Sequence, residues 1–306
     1  LQTGQFYSNG KFLISGEYAV IHGAKALAVP LRFGQEMSVT EMDSGGLIHW
    51  QTKVQGIDWF SAIFNRKRFE VTETSDPTTA GFIRQLLLEA SSFQPELARG
   101  TSSFFIENEI GFDINWGLGS SSSLISNISY WLDIDPYALY KELFRGSGYD
   151  LFCARTDHSI VFQLKNGEPV VQTDVFNPPF QHHIHFVYSG RKQDSQSSVS
   201  NFLKEGRIDP GILHKISHIT DRMTMASDVA EFMELMNEHE TIISDLIGLP
   251  PVQRELFPGF DGAIKSLGAW GGDFIMAVSP RDDKYVKDYF FSKNLPVIFA
   301  WHEIVR

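Results

Sequence analysis

The stretch that most constrains this chain runs Trp116-Gly117-Leu118-Gly119-Ser120-Ser121-Ser122-Ser123 and passes straight into Leu124, Ile125, Ile128, Trp131 and Leu132. Those apolar residues fall at i, i+1, i+4, i+7 and i+8, so the spacing predicts that the loop opens an amphipathic helix. A helix N-terminus presents unpaired backbone N–H groups and the positive end of the helix dipole. Glycines let the backbone approach an anion closely, and serine hydroxyls add donors or reach a metal carried by a phosphate. Two readings fit the stretch at this point: a phosphate cradle, or a Gly/Ser turn with a serine N-cap. A P-loop is excluded because no Lys-Ser/Thr pair follows Gly119, and a dinucleotide fingerprint is excluded because Ser122 stands where its third glycine belongs.

The 306 residues are enough for one large or two medium domains. Hydrophobic content of 42% and charged content of 21% are those of an ordinary globular chain. A net charge of −11 argues against a nucleic-acid footprint but leaves nucleotide binding open, since a few local lysines and a metal suffice. One cysteine, Cys153, allows no internal disulfide and suits a reducing cytoplasm, the expected location. No apolar run approaches the roughly 18 residues of a membrane span, and the opening residues lack a charged-then-apolar leader pattern. The first residue is Leu, as expected of a processed or trimmed chain.

Residues 6–21 read as strands around a tight turn, and residues 36–71 alternate around a hairpin signal at Asp43-Ser44-Gly45-Gly46. Trp50, Trp59 and Phe60 are core candidates. Asp76-Pro77 and Asp135-Pro136 supply N-caps and first helical positions, the former opening a helix with Ile83, Leu86, Leu87 and Ala90 as its buried stripe. A strand at residues 103–109 leads into the glycine-serine loop. Lys165-Asn166-Gly167 is a hairpin turn, and Asn177-Pro178-Pro179 is the expected domain boundary, giving domains at 1–177 and 178–306. His182, His183 and His185 read as a strand start rather than a metal site. Met223, Met225, Met233 and Met236 are expected to fill core. Residues 259–269 are expected as a short helix, followed by a strand at 275–278, a helix after Pro280 and a strand at 297–301.

Three motifs carry a resemblance. Gly10-Lys11, followed by an apolar strand and Gly16-Glu17-Tyr18-Ala19-Val20, resembles the first motif of the GHMP kinases, the superfamily of galactokinase, homoserine kinase, mevalonate kinase and phosphomevalonate kinase, with Asn9 in place of the usual proline. Gly117-Leu118-Gly119-Ser120-Ser121 resembles the second. Gly268-Ala269-Trp270-Gly271-Gly272-Asp273 resembles the third, with Trp270 replacing its middle glycine. Between them, Ser147-Gly148-Tyr149-Asp150 is similar to the aspartate segment of mevalonate and phosphomevalonate kinases. It also resembles a bacterial subgroup marked by Gly-Tyr-Asp-Ile-Ala, with Leu151-Phe152 replacing Ile-Ala.

The resemblance implies an α+β chain of two domains: an N-terminal α+β domain of ribosomal-protein type and a C-terminal ferredoxin-like α+β domain, with the active site in the cleft. It implies ATP and Mg²⁺. The backbone of Gly117, Leu118, Gly119, Ser120, Ser121, Ser122 and Ser123 would cradle the phosphates, and Ser120, Ser121 and Glu142 would hold the metal. Asp150 is implied as catalytic base, with Lys11 stabilising it and the developing phosphate charge. Glu17, Tyr18, Ser147, Lys192, Ser195, Gly271, Gly272 and Asp273 are implied substrate contacts. The expected reaction is phosphorylation of mevalonate or phosphomevalonate by a monomer or homodimer acting on a small molecule, without nucleic acid or membrane. Homoserine, a sugar, a related ATP-dependent decarboxylase and a non-catalytic binding homologue remain as alternatives.

Overall fold

The computed structural model describes residues 1–190, 208–268, 270 and 273–306. It divides into two compact units. Unit 1 holds Leu1–Gly10, Phe33–Ile114 and Leu118–Arg155; unit 2 holds Lys11–Arg32, Asn115–Gly117 and Thr156–Arg306. The division cuts strand β1 (Gly4–Ser15) after Gly10 and strand β2 (Ala26–Ser44) after Arg32. The boundary expected at 177 is therefore displaced. The hairpin of β7 (Ile160–Lys165) and β8 (Glu168–Thr173) goes with unit 2, because β7 pairs with Ala26, Leu27 and Ala28 of β2.

In unit 1, β2 pairs antiparallel with β6 (Ser102–Ile110), β6 pairs parallel with β3 (Leu47–Val54), and β4 (Ile57–Asn65) and β5 (Val71–Thr74) follow antiparallel. Residues 43–46 consequently do not make the expected hairpin, since β6 lies between β2 and β3. Alternate residues Met37, Val39, Ile48, Trp50, Phe60, Ala62, Phe64, Phe104 and Ile106 share one core face, whereas Trp59 is exposed. That face is covered from α1 (Pro77–Phe93), α3 (Ser120–Leu132) and α4 (Pro136–Leu143), with a short α2 (Glu96–Arg99) and α5 (Tyr149–Ala154) completing the unit. Helix α1 starts where Asp76-Pro77 directs it: the Asp76 carboxylate accepts from Thr79 N at 2.8 Å, and Ile83, Leu86, Leu87 and Ala90 are all buried. Each such aliphatic side chain contributes about 1.5–3 kcal/mol by leaving water.

Unit 2 contains the β7–β8 hairpin, whose turn residues Asn166 and Gly167 both take positive φ. It also contains a four-stranded antiparallel sheet in the order β10 (Ala263–Ser266), β11 (Phe274–Val278), β9 (Ile184–Tyr188), β12 (Ile298–Ala300). Helices α6 (Pro210–Met225) and α7 (Val229–Ile247) follow β9, α8 (Val252–Leu256) precedes β10, α9 (Asp283–Phe291) joins β11 to β12, and α10 (Trp301–Ile304) follows β12. This βαββαβ order is the ferredoxin-like arrangement expected for the C-terminal half.

Three local expectations change. β1 is a continuous strand through Asn9 and Gly10, and a 3-10 turn at Ala19–His22 follows it. The expected helix at 259–269 is strand β10, whose residues Ala263 to Ser266 are all buried, so they show no helical face. Met225 is 75% exposed, while Met223 and Met236 fill core. No helix among the described residues is long and apolar enough to cross a membrane.

Candidate active-site residues

In unit 1 the glycine-serine loop enters α3 at Gly119, which takes φ 95° as N-cap and offers no side-chain cap. The N–H of Ser123 already bonds to Gly119 O at 3.0 Å, so the helix's open donors are those of its first turn. The hydroxyls of Ser122 and Ser123 turn back: Ser122 Oγ donates to Gly119 O at 2.9 Å, and Ser123 Oγ to Gln35 Oε1 at 2.9 Å. Ser121 is exposed and Ser120 half-buried; Leu118 is buried. The apolar stripe Leu124, Ile125, Ile128, Trp131 and Leu132 is buried as expected.

The opposite side of α3 is buried too, which the periodicity did not predict. Ser8 Oγ lies 2.7 Å from Ser126 Oγ and donates to Asn127 Oδ1 at 2.8 Å, while Asn127 Nδ2 donates to Gln35 O at 2.9 Å. Four fully or almost fully buried polar side chains, Ser8, Gln35, Ser126 and Asn127, thus satisfy one another and fix the helix that carries the loop. The signal available in sequence was the unusual run of small polar residues inside the helix.

Asp150 stands half-buried in the first turn of α5, after Gly148 at φ 82°. The turn rests on two tyrosines of α4 that sequence reasoning missed. A Cβ on Gly148 would meet Tyr137 Cε2 at 2.8 Å, and one on Gly146 would meet the Tyr140 hydroxyl at 2.4 Å. Burial raises the Tyr140 phenol's pKa, and the Asp150 charge raises it further, so the phenol stays protonated. Ser147 is buried beneath the same turn. Glu142 is exposed on the last turn of α4, and no cluster of three His, Cys, Asp or Glu able to hold a metal occurs among the described residues.

In unit 2, Lys11 lines a recess with Phe12, Leu13, Trp116, Gly117, Leu267, Gly268, Asp273 and Phe274. Trp116 is held edge-on to Phe274 at 5.8 Å and Phe299 at 5.5 Å. Gly117, at φ 68°, lies so close to Asp273 that a Cβ would stand 2.3 Å from its Oδ2, so this loop position requires glycine twice over. Asp273 is buried and itself takes φ 51°. The fold therefore gathers Lys11, Gly117 and Asp273 in one recess, although they are far apart in sequence.

Glu17 differs from expectation. It is 1% exposed and ion-paired with the fully buried Lys265, an enclosure that gives no access to a substrate. Tyr18 uses its hydroxyl to accept from Trp270 N at 3.0 Å. Trp270, which replaces a motif glycine, turns inward among Ala19, Ala24, Ile216 and Ile243, and its indole N–H donates to Pro250 O at 3.3 Å. Lys192, Ser195, Gly271 and Gly272 lie outside the described residues.

No family model matches the chain, and no curated protein matches it. Solved structures match over nearly its whole length. Phosphomevalonate kinase of Streptococcus pneumoniae, in complex with phosphomevalonate and AMPPNP, superposes with a TM-score of 0.72 at 16% identity, covering 97% of this chain and 99% of that one. The chain has the fold of the GHMP kinases. Methanococcus jannaschii mevalonate kinase gives 0.69 at 18% identity over 97% of each chain. Lactococcus lactis galactokinase, complexed with galactose, gives 0.70 at 12% identity over 100% of this chain and 93% of that one.

Proposed function

We propose that this protein is an ATP-dependent small-molecule kinase that transfers the γ-phosphoryl group to mevalonate or phosphomevalonate. The observation that carries the reading is the start of α3, where Gly119 in the left-handed region leaves the first helical turn without a side-chain cap. Open N–H groups at a helix N-terminus match an oligophosphate. The buried polar set Ser8, Gln35, Ser126 and Asn127 holds that turn in place before any ligand arrives, which is the preorganisation that phosphoryl transfer asks of a protein.

The residue roles follow from chemistry. The backbone from Gly117 to Ser122 binds the nucleotide phosphates. The hydroxyls of Ser120 and Ser121, which have no side-chain partner among the described residues, are suited to Mg²⁺, an ion that takes most of its remaining ligands from phosphates and water. Bound there, Mg²⁺ supplies positive charge to the phosphate oxygens. Asp150 accepts the proton of the acceptor hydroxyl, and Lys11 offers a cation to the transferred group. Structural relatives acting on mevalonate, phosphomevalonate and galactose support the class. The mevalonate branch is favoured by Gly16-Glu17-Tyr18-Ala19-Val20 and the Gly272-Asp273 ending.

The test is Asp150→Ala. Loss of acceptor-dependent ADP release, with calorimetric nucleotide affinity within a few-fold of the parent, is the expected result. A folded variant that retains turnover removes Asp150 from the role of base.

A further inference from the structure

Unit 2 closes four ionisable side chains away from water beside the Lys11 recess, and none has a role in the proposed reaction. Lys265, fully buried on β10, pairs with Glu17, and its ammonium also donates to Ser266 O. Glu240 of α7, 3% exposed, accepts from Ser266 N at 3.2 Å. His239, also of α7 and fully buried, accepts from Gly16 N at 2.9 Å through Nε2. Burial, reinforced by Lys265, holds its pKa well below the ordinary histidine value, so the imidazole is neutral with its proton on Nδ1.

These contacts fall on two backbone segments. One is the end of β1: Gly16 and Glu17 are gripped five and six residues after Lys11. The other is the end of β10: both the N–H and the C=O of Ser266 are gripped, immediately before Leu267 and Gly268, which line the recess. Stability does not account for the arrangement, because well-packed apolar side chains usually stabilise as much as a buried ion pair does. What an ion pair adds is a fixed geometry.

We propose that Lys265 and Glu17, seated on His239 and Glu240, are positioning residues that set the two walls of the Lys11 recess, β1 and the 266–268 segment, in one register. The kinetic consequence rests on the kinase reading; the structural consequence does not.

The experiment measures amide hydrogen exchange in the full chain carrying Lys265→Met or Glu17→Gln. Leu267 N bonds to Phe274 O at 3.1 Å and is the reporter. Phe186 and Val187, central in β9, are the controls. Lys265→Met is expected to speed exchange at Leu267 by on the order of 100-fold while the β9 amides change little, as loss of one partner of a buried pair implies. Glu17→Gln keeps a hydrogen-bond acceptor for Lys265, is the variant to use if Lys265→Met does not fold, and is expected to give the same pattern at about 10-fold. Turnover should fall mainly in kcat, with the nucleotide KM nearly unchanged, because a displaced Lys11 is missed in the transition state. Equal acceleration at Leu267 and in β9, or none in either variant, overturns the proposal. If the parent shows no kinase turnover but exchange is selectively accelerated, the kinase reading fails and the positioning role stands.

Discussion

Replacing Glu240 with glutamine removes one titrating group from the buried set and nearly preserves its shape. Burial, with a smaller contribution from the Glu17 charge and opposed by Lys265, pushes the Glu240 carboxyl up from 4.5 to about 7. The folded state therefore binds a proton across an interval in which the unfolded chain has released it. Stability falls with rising pH wherever the native state holds more protons. The contribution is thus fully present below pH 4.5, declines between pH 4.5 and about 7, and is flat above. About 2.5 pH units at about 1.4 kcal/mol each gives on the order of 3 kcal/mol across the window. Urea unfolding of the parent and Glu240→Gln, fitted with a separate transition for each unit, should show the parent's advantage in unit 2 shrinking by that amount from pH 4.5 to 7.5. Exposed carboxylates such as Asp76, whose pKa is lowered by its N-cap bonds, titrate in both proteins and cancel. A difference that is constant with pH, or that grows as pH rises, refutes the reasoning.

Gly148→Ala forces a left-handed backbone on a side chain whose Cβ meets Tyr137 at 2.8 Å; about 1–2 kcal/mol of backbone cost and roughly 1–3 kcal/mol of overpacking should lower Tm and cut kcat more than the nucleotide KM. Trp270→Ala empties a 7% exposed site among Ala19, Ile216 and Ile243 and should cost about 3–5 kcal/mol by urea unfolding; a cost below about 1 kcal/mol would mean that the indole is not a core element.

The glycine-serine loop, the helix it opens, both Asp-Pro caps and the 165–167 hairpin were legible because each rests on local chemistry: a spacing, a cap or a positive φ. What escaped was non-local. Nothing near residues 43–46 indicates that β6, contributed from residue 102 onward, inserts between β2 and β3. Strand β10 was missed because burial on both faces removes the alternation that marks a strand. Glu17 looked like a substrate contact because a motif gives order along the chain; only the fold brings up Lys265, 248 residues later, to enclose it. Trp270 looked like a disturbance of a glycine loop, whereas its side chain enters the core and its N–H is held by Tyr18. Tyr137 and Tyr140 carried no signal beyond an aromatic stripe, although they seat the turn that presents Asp150.

The most direct test of the central claim is ADP release by the full chain with Mg-ATP against mevalonate, phosphomevalonate, homoserine and galactose, with Asp150→Ala as control. The account predicts saturable release with mevalonate or phosphomevalonate, abolished in the variant. Release with homoserine or galactose alone would keep the kinase and reject the substrate branch; no release with any acceptor would contradict the proposed function.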